Sequence, residues 1–201
     1  SLFQPEKRDF FLEGLGLFAF GGVPNTRQGG GGGPPIAPVL FFSRRIGLAD
    51  EDPVQILAGG RVTGRAGPWS VGALQVRQDE SVVAGLPRTD FTVLRVRHDL
   101  GRRSSLGMIY TRRSPSETGP GTNQSGGFDL LLAPTQELSV NAYAAKSSTP
   151  GTGDDDLSYR GRLDYTADLY GFQVEHLVVG DDFLPDVGLM RREDFQRSFV
   201  E

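Results

Sequence analysis

The chain has 201 residues, enough for one compact domain or for part of a larger one. Its 37% apolar content and mean hydropathy of -0.28 are low for a soluble core, and no apolar run approaches the ~20 residues of a membrane-spanning helix. A net charge of -4 and a pI near 5.3 argue against nucleic acid as a partner, and the absence of cysteine rules out a thiolate metal site.

A membrane route through strands stays open, because barrel strands alternate apolar and polar residues and leave the average hydropathy low. A lack of cysteine also suits transit through an oxidising periplasm. The opening Ser1-Leu2-Phe3-Gln4-Pro5 has neither the charged nor the apolar region of a signal peptide. An exported protein is therefore expected to start upstream of it.

The first third reads as irregular. Phe10 to Phe20 is apolar but broken by Gly14 and Gly16, and Gly29 to Gly33, closed by Pro34-Pro35, reads as a flexible linker. Residues 1–37 are accordingly expected to be an irregular, plug-like segment, and residues 38–201 part of a β-domain. A first strand is expected to close on Arg44-Arg45.

From there the pattern has a period of two. Ile56, Ala58, Gly60 and Val62 oppose Arg61, Thr63 and Arg65. Leu106, Met108 and Tyr110 repeat the spacing, as do Leu138, Val140, Ala142 and Ala144. Leu157, Tyr159, Gly161, Leu163 and Tyr165 oppose Ser158, Arg160, Arg162 and Asp164. Phe172, Val174, His176 and Val178 oppose Gln173 and Glu175. Side chains alternate across a strand, so each segment has one oily and one wet side. Segments of about 9–12 residues exceed the usual ~5–6 and match the ~9–11 that cross a bilayer at a tilt.

Connections alternate too. Tight links at Gly67-Pro68, Asp99 to Arg102, Pro134-Thr135 and Ala167-Asp168 interleave with long polar ones at residues 78–89, 113–126 and 147–155. Residues 180–185 read as an intermediate link. An up-and-down meander gives this alternation and a Greek-key sandwich does not. The expected fold is therefore all-β: an antiparallel up-and-down transmembrane β-barrel, incomplete, with ten strands between residues 38 and 192. Phe195 to Glu201 lacks the aromatic terminus common to such barrels, so further strands are expected beyond it.

Catalytic signatures are missing. His98 and His176 each stand alone, no Gly-x-Ser-x-Gly elbow occurs, and Gly29 to Gly33 lacks the lysine of a phosphate loop. Asp154-Asp155-Asp156 lacks EF-hand spacing and reads as a solvated acidic tip. No catalytic, cofactor or metal residue is assigned. Arg44, Arg45, Arg61, Arg65, Arg160 and Arg162 are the candidate lumen-lining residues, and a basic lumen would favour anionic solutes. The plainer reading pairs them with Asp164, Glu175 and their neighbours.

Several runs resemble the DUF5916 family of bacterial proteins. They are Glu6 to Gly14, Leu40-Phe41-Phe42-Ser43-Arg44-Arg45-Ile46-Gly47, Arg102 to Gly107, Tyr159 to Tyr165 and His176 to Gly188. Asp9 stands where the family has proline. The resemblance implies an outer-membrane barrel in a Gram-negative bacterium, often C-terminal to a family 9 carbohydrate-binding-like module, with no catalytic residues to transfer. The expected function is a channel or transport conduit in contact with outer-membrane lipid, carrying carbohydrate-related or anionic material. One alternative is the membrane anchor of a carbohydrate-binding or carbohydrate-active surface protein. Another is a soluble β-sandwich interaction domain.

Overall fold

The computed structural model describes residues 6–23, 36–49, 52–82 and 85–201. The glycine run at 29–33 and its two prolines lie outside the described residues. A one-turn helix, α1 (Asp9–Leu12), is followed by 3-10 turns at Leu15–Phe18 and Ser43–Arg45, and then by the two-residue strands β1 (Leu48–Ala49) and β2 (Asp52–Pro53). Nine longer strands follow: β3 (Ile56–Ala66), β4 (Trp69–Gln78), β5 (Thr89–Asp99), β6 (Ser105–Ser114), β7 (Asn123–Leu132), β8 (Leu138–Ser148), β9 (Leu157–Thr166), β10 (Gly171–Val179) and β11 (Phe195–Val200). They form one antiparallel sheet in sequence order, with β3 and β11 at its edges, so the sheet is not closed.

The meander follows from the links. Residues 67–68, 100–104, 133–137 and 167–170 turn the chain tightly at one rim, and residues 79–88, 115–122, 149–156 and 180–194 are the long connections at the other. Gly67, at φ 57°, takes the first place of the two-residue β3–β4 hairpin, a conformation that side chains disfavour. The last connection is longer than the intermediate link expected of it.

That connection folds back over the sheet and meets residues 36–47. Val39 and Leu189 exchange backbone hydrogen bonds of 2.9 and 2.8 Å, and the Phe42 N–H donates to the Val187 carbonyl at 2.9 Å. Here the structure corrects the expected first strand. Val39, Leu40, Phe41 and Phe42 are apolar at every position and all buried, so the run cannot offer one side to the sheet and another to solvent. It lies in a covering layer, and Arg44 and Arg45 occupy the 3-10 turn after it. Phe195–Val200, not expected as a strand, is instead the ninth strand of the sheet, and its partner is β10.

Among the described residues, only one face of the sheet is covered. Leu74, Val76, Phe91, Val93, Ile109 and Leu177 on that face are almost fully buried beneath Phe11, Leu15, Phe18, Phe20, Phe41 and Val187. Burying each such side chain contributes about 1.5–3 kcal/mol, so this layer is the apolar core. The other face has no covering element among the described residues. Val62, Trp69, Leu94, Met108, Phe128, Leu157 and Val174 stand exposed on it.

Candidate functional site

The covered face is a seat for the N-terminal segment, made by glycines. A side chain at Gly72 on β4 would come within 2.9 Å of the Phe18 ring, and one at Gly127 on β7 within 2.8 Å of the Phe20 ring. On the segment, a Cβ at Gly21 would meet the Tyr143 ring at 2.5 Å, and one at Gly22 would meet Asn141 at 2.1 Å. Gly21 and Gly22 also hold φ of 61° and 66°, which side chains rarely adopt. The missing side chains let the two backbones approach.

Charged groups of the same face surround the seat. Arg95 on β5 is only 2% exposed and reaches across Gly107 of β6 to Asp129 on β7, with Nη1–Oδ1 at 2.5 Å and Nη2–Oδ2 at 2.9 Å. This two-point geometry is the strong form of an arginine–carboxylate pair. The pair also touches the segment: Arg95 Nε donates to the Leu17 carbonyl at 3.2 Å, and the Gly21 N–H donates to Asp129 Oδ2 at 3.2 Å. Further along, Arg160 pairs with Glu175 at 2.6 Å and donates to the Gly21 carbonyl at 3.4 Å. Beside them lies a cleft of about 400 Å³ whose lining includes Arg160, Arg162, Gln173, Glu175, Arg197 and Phe199.

The six arginines singled out by sequence divide into two groups. Arg61, Arg65, Arg160 and Arg162 project from the covered side of the sheet, and each has an acidic partner. Arg61 bonds to Glu13 and to the Phe10 carbonyl, while Arg65 pairs with Asp99 at 2.7 Å. Arg162 holds Asp164 at 2.7 Å and donates to Gln173 at 3.1 Å. Arg44 and Arg45 belong to the covering layer, where Arg45 donates to the Gly188 carbonyl at 3.0 Å and faces Glu117 at 3.6 Å.

Sequence reasoning missed Arg95, Asp129, Asn123 and Asp186. Asn123 Nδ2 donates to Thr149 Oγ1 and to the Leu184 carbonyl, and its Oδ1 accepts the Asp186 N–H. Asp186 in turn accepts from the Ser116 and Thr118 hydroxyls and the Glu117 N–H at 2.7–2.9 Å. Three long connections are thereby locked together at one rim. The Asp154-Asp155-Asp156 tip takes part: Asp182 accepts the N–H groups of Gly153 and Asp155, and Lys146 pairs with Asp156 at 3.1 Å.

The uncovered face is organised in horizontal rows. Val71, Val96, Met108, Phe128, Ala144 and Tyr159 are neighbours in register across six strands, and Leu132, Val140, Leu163, Val174 and Val200 form a second row. Towards the long connections the same face turns polar, through Gln75, Thr92, Arg112 and Gln124 and then Arg77, Asp90 and Ser114. Towards the tight turns it carries aromatic pairs, Trp69 with His98 at 4.3 Å and Tyr165 with Phe172 at 5.5 Å. His176 also points outward and bonds to Ser198 at 2.9 Å.

Fold and seat together define an all-β chain: an open nine-stranded up-and-down antiparallel sheet with one face filled by its own N-terminal segment. No protein-family model, curated protein or solved structure matches this chain.

Proposed function

We propose that the chain is part of the wall of a bacterial outer-membrane β-barrel that serves as a transport conduit, with the covered face turned to the bore. The apolar band on the uncovered face carries this reading. On β9 it runs from Leu157 to Tyr165. That is roughly 26 Å along the strand at about 3.3 Å per residue, or about 20 Å of membrane normal at a tilt of about 40°, against a typical band of about 25 Å. Polar residues bound it on one side, and on the other stand aromatic rings of the kind that line a membrane interface. A soluble sheet would leave this surface as an unprotected apolar patch.

The inner charges refine the cargo. Arg160 and Arg162 are matched by Glu175 and Asp164, but Glu175 is shared with Arg197, so this part of the face keeps a positive excess. The proposed solute is a hydrogen-bonding molecule of the carbohydrate class, neutral or anionic, in keeping with the DUF5916 resemblance. One observation favours the alternative of a membrane anchor: the bore side is occupied by the chain itself.

The absence of native cysteine makes the test direct. Single cysteines at Leu106, Phe128 and Leu163 should resist a membrane-impermeant maleimide in intact membranes and react after detergent. Cysteines at Arg77, Arg88 and Gln124 should react in both states. Equal labelling of both groups in membranes, or recovery of the protein in the soluble periplasm, would sink the barrel reading.

A further inference from the structure

The bonding between segment and sheet has an asymmetry. Every hydrogen bond described between residues 9–23 and the long strands runs to a sheet side chain: Arg61, Arg95, Asp129 or Arg160. None joins the backbone ladder, so the segment could leave without breaking a strand pairing. The bonds through Arg95, Asp129 and Arg160 are 3.2–3.4 Å, at or beyond the long end of the usual range.

Of the charges beneath it, Arg61 takes its partner from the segment, the mostly exposed Glu13, and the deeper pairs do not. Arg95 is neutralised by Asp129 and Arg160 by Glu175, all four residues belonging to the sheet. Departure of the segment would leave both of these pairs intact, and Arg61, which alone would lose its carboxylate, would gain solvent as the segment over it left. What holds it is Phe18 over Gly72 and Phe20 over Gly127, together with the bonds from Arg61 to Glu13 and the Phe10 carbonyl. A separate clamp stands just before it. Glu6 accepts from Ser43 Oγ at 2.7 Å, and Arg8 donates to the Ser43 and Ile46 carbonyls at 3.0 and 2.5 Å. The clamp grips the covering layer, which is itself tied by backbone bonds to the last long connection.

We propose that residues 9–23 are a releasable plug, pivoting on the Glu6–Arg8 clamp, whose two phenylalanine sockets hold the conduit closed. This rests on the barrel reading above, and the experiment separates their failures. Single-channel recordings in planar bilayers would compare the full chain, the Phe18→Ala/Phe20→Ala variant and a Leu17→Cys/Gly72→Cys variant. In the last, Leu17 Cδ2 lies 3.0 Å from the position of a Gly72 Cβ, and the introduced pair is the only possible disulfide. Open probability should rise by about tenfold or more in the Phe18→Ala/Phe20→Ala variant. Oxidation should silence the cysteine variant, and reduction should raise its open probability above that of the parent chain, because a side chain at position 72 crowds the Phe18 ring.

Conductance indifferent to the oxidised lock would overturn the plug. So would silence in every variant while the labelling test shows insertion, an outcome that selects the anchor. Failure of all variants to insert would remove the barrel reading as well. The disulfide arm stands even where the Phe18→Ala/Phe20→Ala variant misfolds.

Discussion

Glu6 shows what single residues contribute. Burial opposes its ionisation, but bonds from the Arg8 side chain, the Ser43 hydroxyl and the Arg8 N–H overcome that and hold the carboxyl at about 2. An unfolded glutamate titrates near 4.5. The folded value is depressed, so the stabilisation is complete above about pH 4.5 and fades as pH falls towards 2. The difference corresponds to about 3 kcal/mol at neutral pH. Glu6→Gln is expected to lower the denaturant midpoint clearly at pH 7 and hardly at all near pH 2. An equal loss at both values would mean that the clamp acts by shape and not by charge. Legibility at this scale depended on sequence distance. Arg162 with Asp164 was readable because residues two apart share a strand face. Arg95 with Asp129 was not, because the pair spans an intervening strand and exists only where Gly107 leaves room.

At the scale of elements, alternation located the long strands and failed where it vanished. Residues 157–166 and 171–179 carry one oily side and one wet side, and the structure makes them β9 and β10. Residues 39–42 are uniformly apolar, and nothing in the run separates a doubly buried strand from a covering loop. On β9 the oily side points away from the covered core, the reverse of a soluble sandwich, and this supplies a quantitative test. Phe128 is 61% exposed near the middle of the apolar band, whereas Gln124 lies in the polar row above it. In lipid vesicles, Phe128→Arg is expected to destabilise the chain by about 2–4 kcal/mol, and Gln124→Arg by about 0–1. On a water-exposed sheet both would fall within about 0.5 kcal/mol. Denaturant titration of the two variants in vesicles would separate these cases, and near-equal costs would count against lipid contact.

The whole sheet adds a constraint that no segment contains. Nine successive antiparallel strands leave β3 and β11 running in the same direction, so pairing them with each other would create a single parallel ladder. Uniformly antiparallel closure needs an odd number of strands between them. Until its edges are paired, the sheet offers two rows of open backbone groups, the usual template for edge-to-edge association. Orientation decides which association is possible. Copies inserted the same way in a bilayer present their β3 edges parallel, whereas in detergent micelles a two-fold arrangement can bring two β3 strands together antiparallel. The 201-residue chain is therefore expected to form a dimer in micelles that is missing from uniformly inserted vesicles. Val62 and Thr63 are opposite Ala73 and Gly72 of β4, and the N–H groups of adjacent strand residues point to opposite sides. One of Val62→Pro and Thr63→Pro thus removes a donor from the open edge and should yield monomers by sedimentation with the fold retained. The other removes a ladder bond to β4 and should loosen the sheet. If both variants stay dimeric, β3 is not the edge through which copies meet.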